Sequence, residues 1–159
     1  MNQEPPPLRF DLADPGPLGQ GELTLALKEI SPPKPEMGWS PAYHFDMRRP
    51  GFNAPVGRIV LRIGWTQNLV LYGGHIGYGV EPSHRGKHFA SQAVNLVLPL
   101  AWQHGLPEVW ITCNPDNIAS IRTIERSGGQ YVETVLLPPE TDMARRGEVS
   151  KNRYRIARP

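Results

Sequence analysis

Residues 81–93 of the chain read Glu-Pro-Ser-His-Arg-Gly-Lys-His-Phe-Ala-Ser-Gln-Ala: the end of a β-prone stretch, a short glycine-containing loop and the first turn of a helix. That order of elements suits an anion. The first N–H groups of a helix have no partner within it, and the peptide dipoles place partial positive charge there, so a phosphate is held without any particular side chain. Arg85 and Lys87 add full charges, Gly86 allows close backbone approach, and the small Ala90 leaves room above the helix end. Such residues also precede helices for purely structural reasons, so the segment alone names no ligand.

Three side chains just upstream could move protons. An unperturbed imidazole titrates at about 6.5, which makes His75 the first candidate for a general base, and the phenols of Tyr78 and Tyr72 are candidate relays. Each has a structural alternative: His75 satisfied by backbone at a strand start, the tyrosines packed as core rings. In a regular strand His75 and Tyr78 project to opposite faces, so at most one serves a given substrate unless a bulge intervenes. Cys113 closes an apolar stretch and reads as a buried structural thiol rather than a nucleophile.

These groups need a frame. Leu23, Leu25 and Leu27 alternate with polar or small residues, as do Tyr43, Phe45 and Met47, and Ile59, Leu61 and Ile63 with Arg58 and Arg62 opposite, which predicts three antiparallel strands. A fourth covers His75 to Val80. From His88 the period changes: Phe89, Ala93, Leu96, Val97, Leu100 and Ala101 recur at helical spacing up to Gly105, with a kink or early end expected at Pro99. Val109 to Thr112 reads as a buried strand. A second helix starts at Asn117, places Ile118, Ile121 and Ile124 on one face and stops at Gly128 and Gly129, and strands over Tyr131 to Leu137 and Arg153 to Ile156 close the chain. The expected fold class is α+β, a mixed central sheet flanked by helices.

Composition narrows the rest. The 159 residues fit one domain, with a proline-rich N-terminal segment over 1–20 and the folded domain over 21–159. No apolar run reaches the roughly 20 residues of a membrane helix, and the first ten residues lack the pattern of a signal peptide. The one cysteine precludes an internal disulfide and a cysteine-based zinc site, so a cytoplasmic setting without metal is expected. Net charge is +2 with a pI near 8.9, but the charges are interspersed; nucleic acid is not an expected partner, and the doublets Arg48-Arg49 and Arg145-Arg146 read as solvated surface.

Taken together, residues 74–133 resemble the GNAT acyltransferases. Arg85 and Ala90 match that family's acyl-CoA signature, Arg/Gln-x-x-Gly-x-Gly/Ala, between a strand and a helix, and Asn117-Ile118-Ala119-Ser120 matches its Asn-x-x-Ser/Ala at the start of the next helix. The resemblance implies an N-acyltransferase that moves an acetyl group from acetyl-CoA to an amine acceptor in a ternary complex. It implies that Gly79 and Val80 pair through their backbone with the pantetheine arm, that Arg85, Gly86, Lys87, His88, Phe89 and Ala90 hold the pyrophosphate, and that Asn117 and Ser120 lie beside the sulfur. His75 falls where some members carry a base. Three departures stand out: His88 replaces a glycine of the signature, Ile124 replaces a tyrosine acid, and the link from Ser31 to Ala42, with four prolines, is too short for the two helices that usually wall the acceptor. Trp39, Met37 and the loop bearing Glu140, Asp142, Arg145 and Arg146 remain to read the acceptor. The alternative is a non-catalytic acyl-CoA-binding or regulatory module, and the protein is expected as a monomer or homodimer.

Overall fold

A computed structural model describes residues 4–159; residues 1–3, part of the proline-rich segment, lie outside the described residues. Five strands form one antiparallel sheet in chain order: β1 (Leu18–Gln20), β2 (Leu23–Ser31), β3 (Ala42–Arg48), β4 (Gly57–Arg62) and β5 (Ile76–Val80). A second, three-stranded sheet has the order β6 (Glu108–Cys113), β8 (Ser150–Ala157), β7 (Gln130–Leu136). Helix α1 (Phe89–Gln103) carries the chain from β5 to β6, α2 (Ile118–Arg126) from β6 to β7, and the short α3 (Asp142–Arg145) lies in the β7–β8 connection. This is the expected α+β arrangement.

Alternation decides which face each strand buries. Leu23 and Leu25 of β2, Tyr43, Phe45 and Met47 of β3, Ile59 and Leu61 of β4 and Ile76 of β5 point to one side, where Phe89, Ala93, Val94, Val97 and Ala101 of α1 pack on them. Each such aliphatic side chain, fully withdrawn from water, stabilises the fold by about 1.5–3 kcal/mol before entropy is counted. Pro99 does not end α1. It lies on the exposed side with Asn95, whose carbonyl loses its helical donor to the proline and faces solvent, so the helix continues to Gln103.

Between β2 and β3 the chain makes only a 3-10 turn, Pro35–Met37, closed by a Lys34–Trp39 bridge with the Lys34 ammonium 5.0 Å from the Trp39 ring. No helix forms in this link, as its prolines require. The proline-rich N-terminal segment is tied to this core. Residues 18–20 are β1, Leu8, Leu12 and Leu18 pack against the core, and Arg9 exchanges backbone and side-chain bonds with His104: N–H to carbonyl at 2.9 Å, and His104 Nδ1 to the Arg9 carbonyl at 2.7 Å. Because Nδ1 must donate there, Nε2 accepts from the Tyr43 hydroxyl at 2.6 Å. Tyr43→Phe leaves that buried nitrogen without a donor, and denaturant unfolding should show a loss of about 1–3 kcal/mol.

Candidate active site

The two sheets meet at one point. His75, just before β5, donates its backbone N–H to the Trp110 carbonyl of β6 at 2.7 Å, and the Trp110 N–H returns to His75 Nδ1 at 2.9 Å rather than to a backbone oxygen. Nδ1 therefore carries no proton, and Nε2–H donates to the Gly64 carbonyl at 3.0 Å. His75 is fully buried, and burial pushes its pKa down to about 4, with Arg62 nearby adding to the effect and the Gly64 bond opposing it. A ring with both nitrogens occupied and no access to solvent has no lone pair for a substrate proton. The expectation of His75 as general base is thus corrected: its imidazole stitches two strands together. Past it, the outer edge of β5 pairs with no strand among the described residues, and β5 and β6 continue in separate sheets, leaving an unpaired opening, the cleft, between them.

At the end of β5 lies the anion loop. A 3-10 turn, Pro82–His84, leads to Arg85, whose Nε donates to the Val80 carbonyl at 2.8 Å. Gly86 has φ +83°, and a Cβ there would meet nothing within 4 Å. His88 has φ +63°, the only positive φ at a non-glycine among the described residues, which explains why glycine suits this position of the signature. Its imidazole does not cap α1, so the first-turn N–H groups, including those of Phe89 and Ala90, have no side-chain partner. Arg85, Gly86, Lys87 and His88 are exposed around that helix end, whereas the Phe89 ring is buried and offers only its backbone. A phosphate fits this cradle of uncapped donors, open glycine and cationic side chains.

Arg49 holds the loop from beneath. It was expected on a solvated surface, yet its side chain is only 13% exposed. Its guanidinium bonds His84 Nδ1 at 2.8 Å and Glu22 at 3.1 Å, and lies 4.8 Å from the Phe89 ring and 5.0 Å from the Phe52 ring. Arg48, Arg145 and Arg146 keep exposed ion pairs with Asp46, Asp142 and Glu148, worth little each.

Inside the cleft the sequence's other candidates converge. Asn117 caps α2, its Oδ1 accepting from the Ser120 N–H at 3.1 Å. The Ser120 hydroxyl then lies 2.8 Å from the Tyr78 hydroxyl, with the Cys113 thiol close enough to feel it. Burial raises the Cys113 pKa and pushes that of Tyr78 up to about 12, the Ser120 bond opposing both shifts. Tyr78 and Cys113 are therefore protonated at neutral pH, a store of hydrogen-bond donors rather than bases. Ile124, at the place of the family's tyrosine, is fully buried in the core and faces no cleft. Cys113, set aside as structural, belongs to this cluster; its position at a strand end one residue before the Asn-Pro break was the available signal.

Two outcomes follow from these assignments. His75 is held neutral, its folded pKa lying below the unfolded value of about 6.5, so its contribution is complete above pH 6.5 and declines as pH falls toward 4. Unfolding measured across that window should show a loss approaching roughly 3 kcal/mol, attenuated in His75→Leu. His88→Gly should relieve the left-handed backbone and stabilise by about 1 kcal/mol, while His88→Val destabilises by at least as much; thermal unfolding of the two variants checks both.

A family model described as acetyltransferase (GNAT) domain matches residues 10–130. No curated protein sequence matches significantly. Among solved structures, the ribosomal-protein-S5-alanine acetyltransferase from Vibrio fischeri superposes with a TM-score of 0.66 at 11% identity, over 89% of this chain and 96% of its own. The microcin C7 self-immunity acetyltransferase MccE, in complex with acetyl-CoA and AMP, gives 0.57 at 19% identity over 74% of this chain. The ribosomal L7/L12 N-acetyltransferase RimL, in complex with coenzyme A, gives 0.56 at 19% over 77% of this chain. The chain spans 61% and 64% of the latter two structures, less than two thirds of their length. With the uncapped helix end beside diverging strands and the family model covering 121 of 159 residues (10 through 130), this chain belongs to the GNAT acetyltransferase family.

Proposed function

We propose that the protein is an N-acetyltransferase that moves an acetyl group from acetyl-CoA to an amine by direct attack in a ternary complex. One observation carries the reading: an uncapped helix N-terminus at the end of β5, and a cluster of protonated hydroxyl and thiol groups inside the adjoining cleft. The cleft admits an extended arm against the open edge of β5, where Gly79 and Val80 supply backbone groups; the α1 terminus with Arg85 and Lys87 receives the pyrophosphate. The arm's sulfur then lies toward α2, beside Ser120, Tyr78 and Cys113.

The chemistry follows from that placement. The neutral amine nitrogen attacks the thioester carbonyl carbon, the carbon–sulfur bond breaks, and the departing thiolate takes a proton. Ser120 is the immediate donor and Tyr78, 2.8 Å behind it, replenishes the proton. The partial positive charge of the first turn of α2 favours the same thiolate. The new ammonium proton leaves to water on the open side of the sheet, and solvent returns a proton to the Tyr78 phenolate, so the relay ends as it began. Positioning of the two substrates supplies much of the remaining rate. A single, buried cysteine is compatible with the reducing cytoplasm.

Calorimetric titration with acetyl-CoA tests the first half. Wild type should bind, and Arg85→Glu should weaken binding roughly tenfold or more; no binding by wild type would overturn the reading. Steady-state turnover tests the second half and separates an enzyme from a binding module. Ser120→Ala and Tyr78→Phe should each lower kcat by roughly a hundredfold with little change in acetyl-CoA affinity.

A further inference from the structure

One face of the five-stranded sheet carries no helix among the described residues. Helix α1 packs on the other, and the link that would cover this one is the 3-10 turn Pro35–Met37. On β4, next to the cleft strand, three side chains point to the uncovered face: Arg58, Val60 and Arg62. Their register partners on β5 include Gly79 opposite Arg58 and Gly77 opposite Val60. Neither glycine covers its neighbours. A Cβ at Gly79 would meet nothing within 4 Å, and one at Gly77 would lie 3.6 Å from both Nη1 and Nη2 of Arg62, so that guanidinium sits over Gly77.

The two arginines lack anions. Arg62 is half-buried, and its one side-chain bond goes to the Gly74 carbonyl, at 3.2 Å from Nη1. Neither Arg58 nor Arg62 has a carboxylate within ion-pair distance among the described residues. Burial without a counter-charge also holds the Arg62 pKa below the ordinary arginine value. Asp46 on β3 lies directly across from Arg58 but is paired with Arg48 at 3.8 Å, and Glu29 is one strand farther back on β2. A planar guanidinium presents paired N–H groups that match a carboxylate or phosphate in two-point fashion, and Arg62 has most of these donors free. Successive same-face positions on a strand lie about 6.5–7 Å apart, so Arg58 and Arg62 flank the apolar floor of Val60 beside β5.

We propose that the acceptor is an amine carrying an anionic group, carboxylate or phosphate, which Arg62 and Arg58 hold on the uncovered face while its nitrogen addresses the thioester. This rests on the acetyltransferase reading above. Both arginines are positioning residues. They grip the acceptor remote from the reacting atoms, so their loss is expected in the acceptor's KM and not in kcat or in acetyl-CoA affinity.

The experiment measures acetyl transfer by the full chain to matched pairs: free amino acids against their C-terminal amides, and phosphoethanolamine against ethanolamine. The two pairings distinguish carboxylate from phosphate. The expected result is a preference for the anionic member of one pairing of roughly ten- to a hundredfold in kcat/KM. Arg62→Met and Arg58→Gln should reduce that preference through KM, with thermal unfolding measured alongside. A preference for the neutral members, equal rates within pairs, or a preference that survives both variants overturns the inference and leaves the acetyltransferase reading standing. Failure of every amine to react while acetyl-CoA binds overturns both.

Discussion

The structure depends on two strands being joined at one end and parted at the other. β5 and β6 are bonded to one another at His75 and Trp110, where three main-chain groups and an imidazole share the bonding that a continuous ladder would provide. Buried N–H and C=O groups cannot be left without partners, so a fork in a sheet needs something to satisfy its apex. His75 supplies it: its ring accepts from Trp110 and donates to Gly64, while its carbonyl accepts from the Arg62 N–H at 2.7 Å. Gly74, at φ +75° and with the Trp110 carbonyl 3.0 Å from where a Cβ would stand, lets the chain turn into this apex.

What surrounds the fork keeps it in place. The Arg153 guanidinium lies 4.0 Å from the Trp110 ring, bonds Glu133 at 2.7 Å and donates to the Val70 carbonyl at 3.0 Å, tying β8 and the π-helical segment Leu69–Gly73 to the apex. On the other flank α1, anchored by Val94, Val97 and Ala101 in the core, directs its N-terminus to the end of β5, and Arg49 braces the loop between. The uncapped helix end and the open edge of β5 are thus consequences of core packing. The side chains at their surface add charge to a geometry already formed.

The protonation pattern has the same origin. Burial in the cleft disfavours charge on Tyr78 and Cys113, and Ser120 connects them through hydrogen bonds that oppose the shift without reversing it. A cluster of neutral donors at the first turn of α2 is suited to receiving a thiolate, which is the charge that thioester aminolysis releases. The other face of the sheet has the opposite character, with unpaired guanidinium groups and no helix above them.

The secondary elements and the anion loop were legible in the sequence because each is encoded locally: alternation in residues 23–27, 43–47 and 59–63, helical spacing from Phe89, an Asn cap three residues before Ser120, and glycine and cations ahead of a helix. Proline spacing likewise excluded helices between Ser31 and Ala42. Roles that depend on contacts distant in the chain were not legible. His75 has the residue type and strand position of a base, and only Gly64 and Trp110, 11 and 35 residues away, make it a structural clamp. Arg49 reads as half of a surface doublet until Phe89 and His84 close over it, and Cys113 as an isolated thiol until α2 brings Ser120 beside it. Local pattern determines which elements form because propensity and periodicity act over a few residues. Protonation, burial and pairing are set by the partners that folding brings together, and these the tertiary structure alone decides.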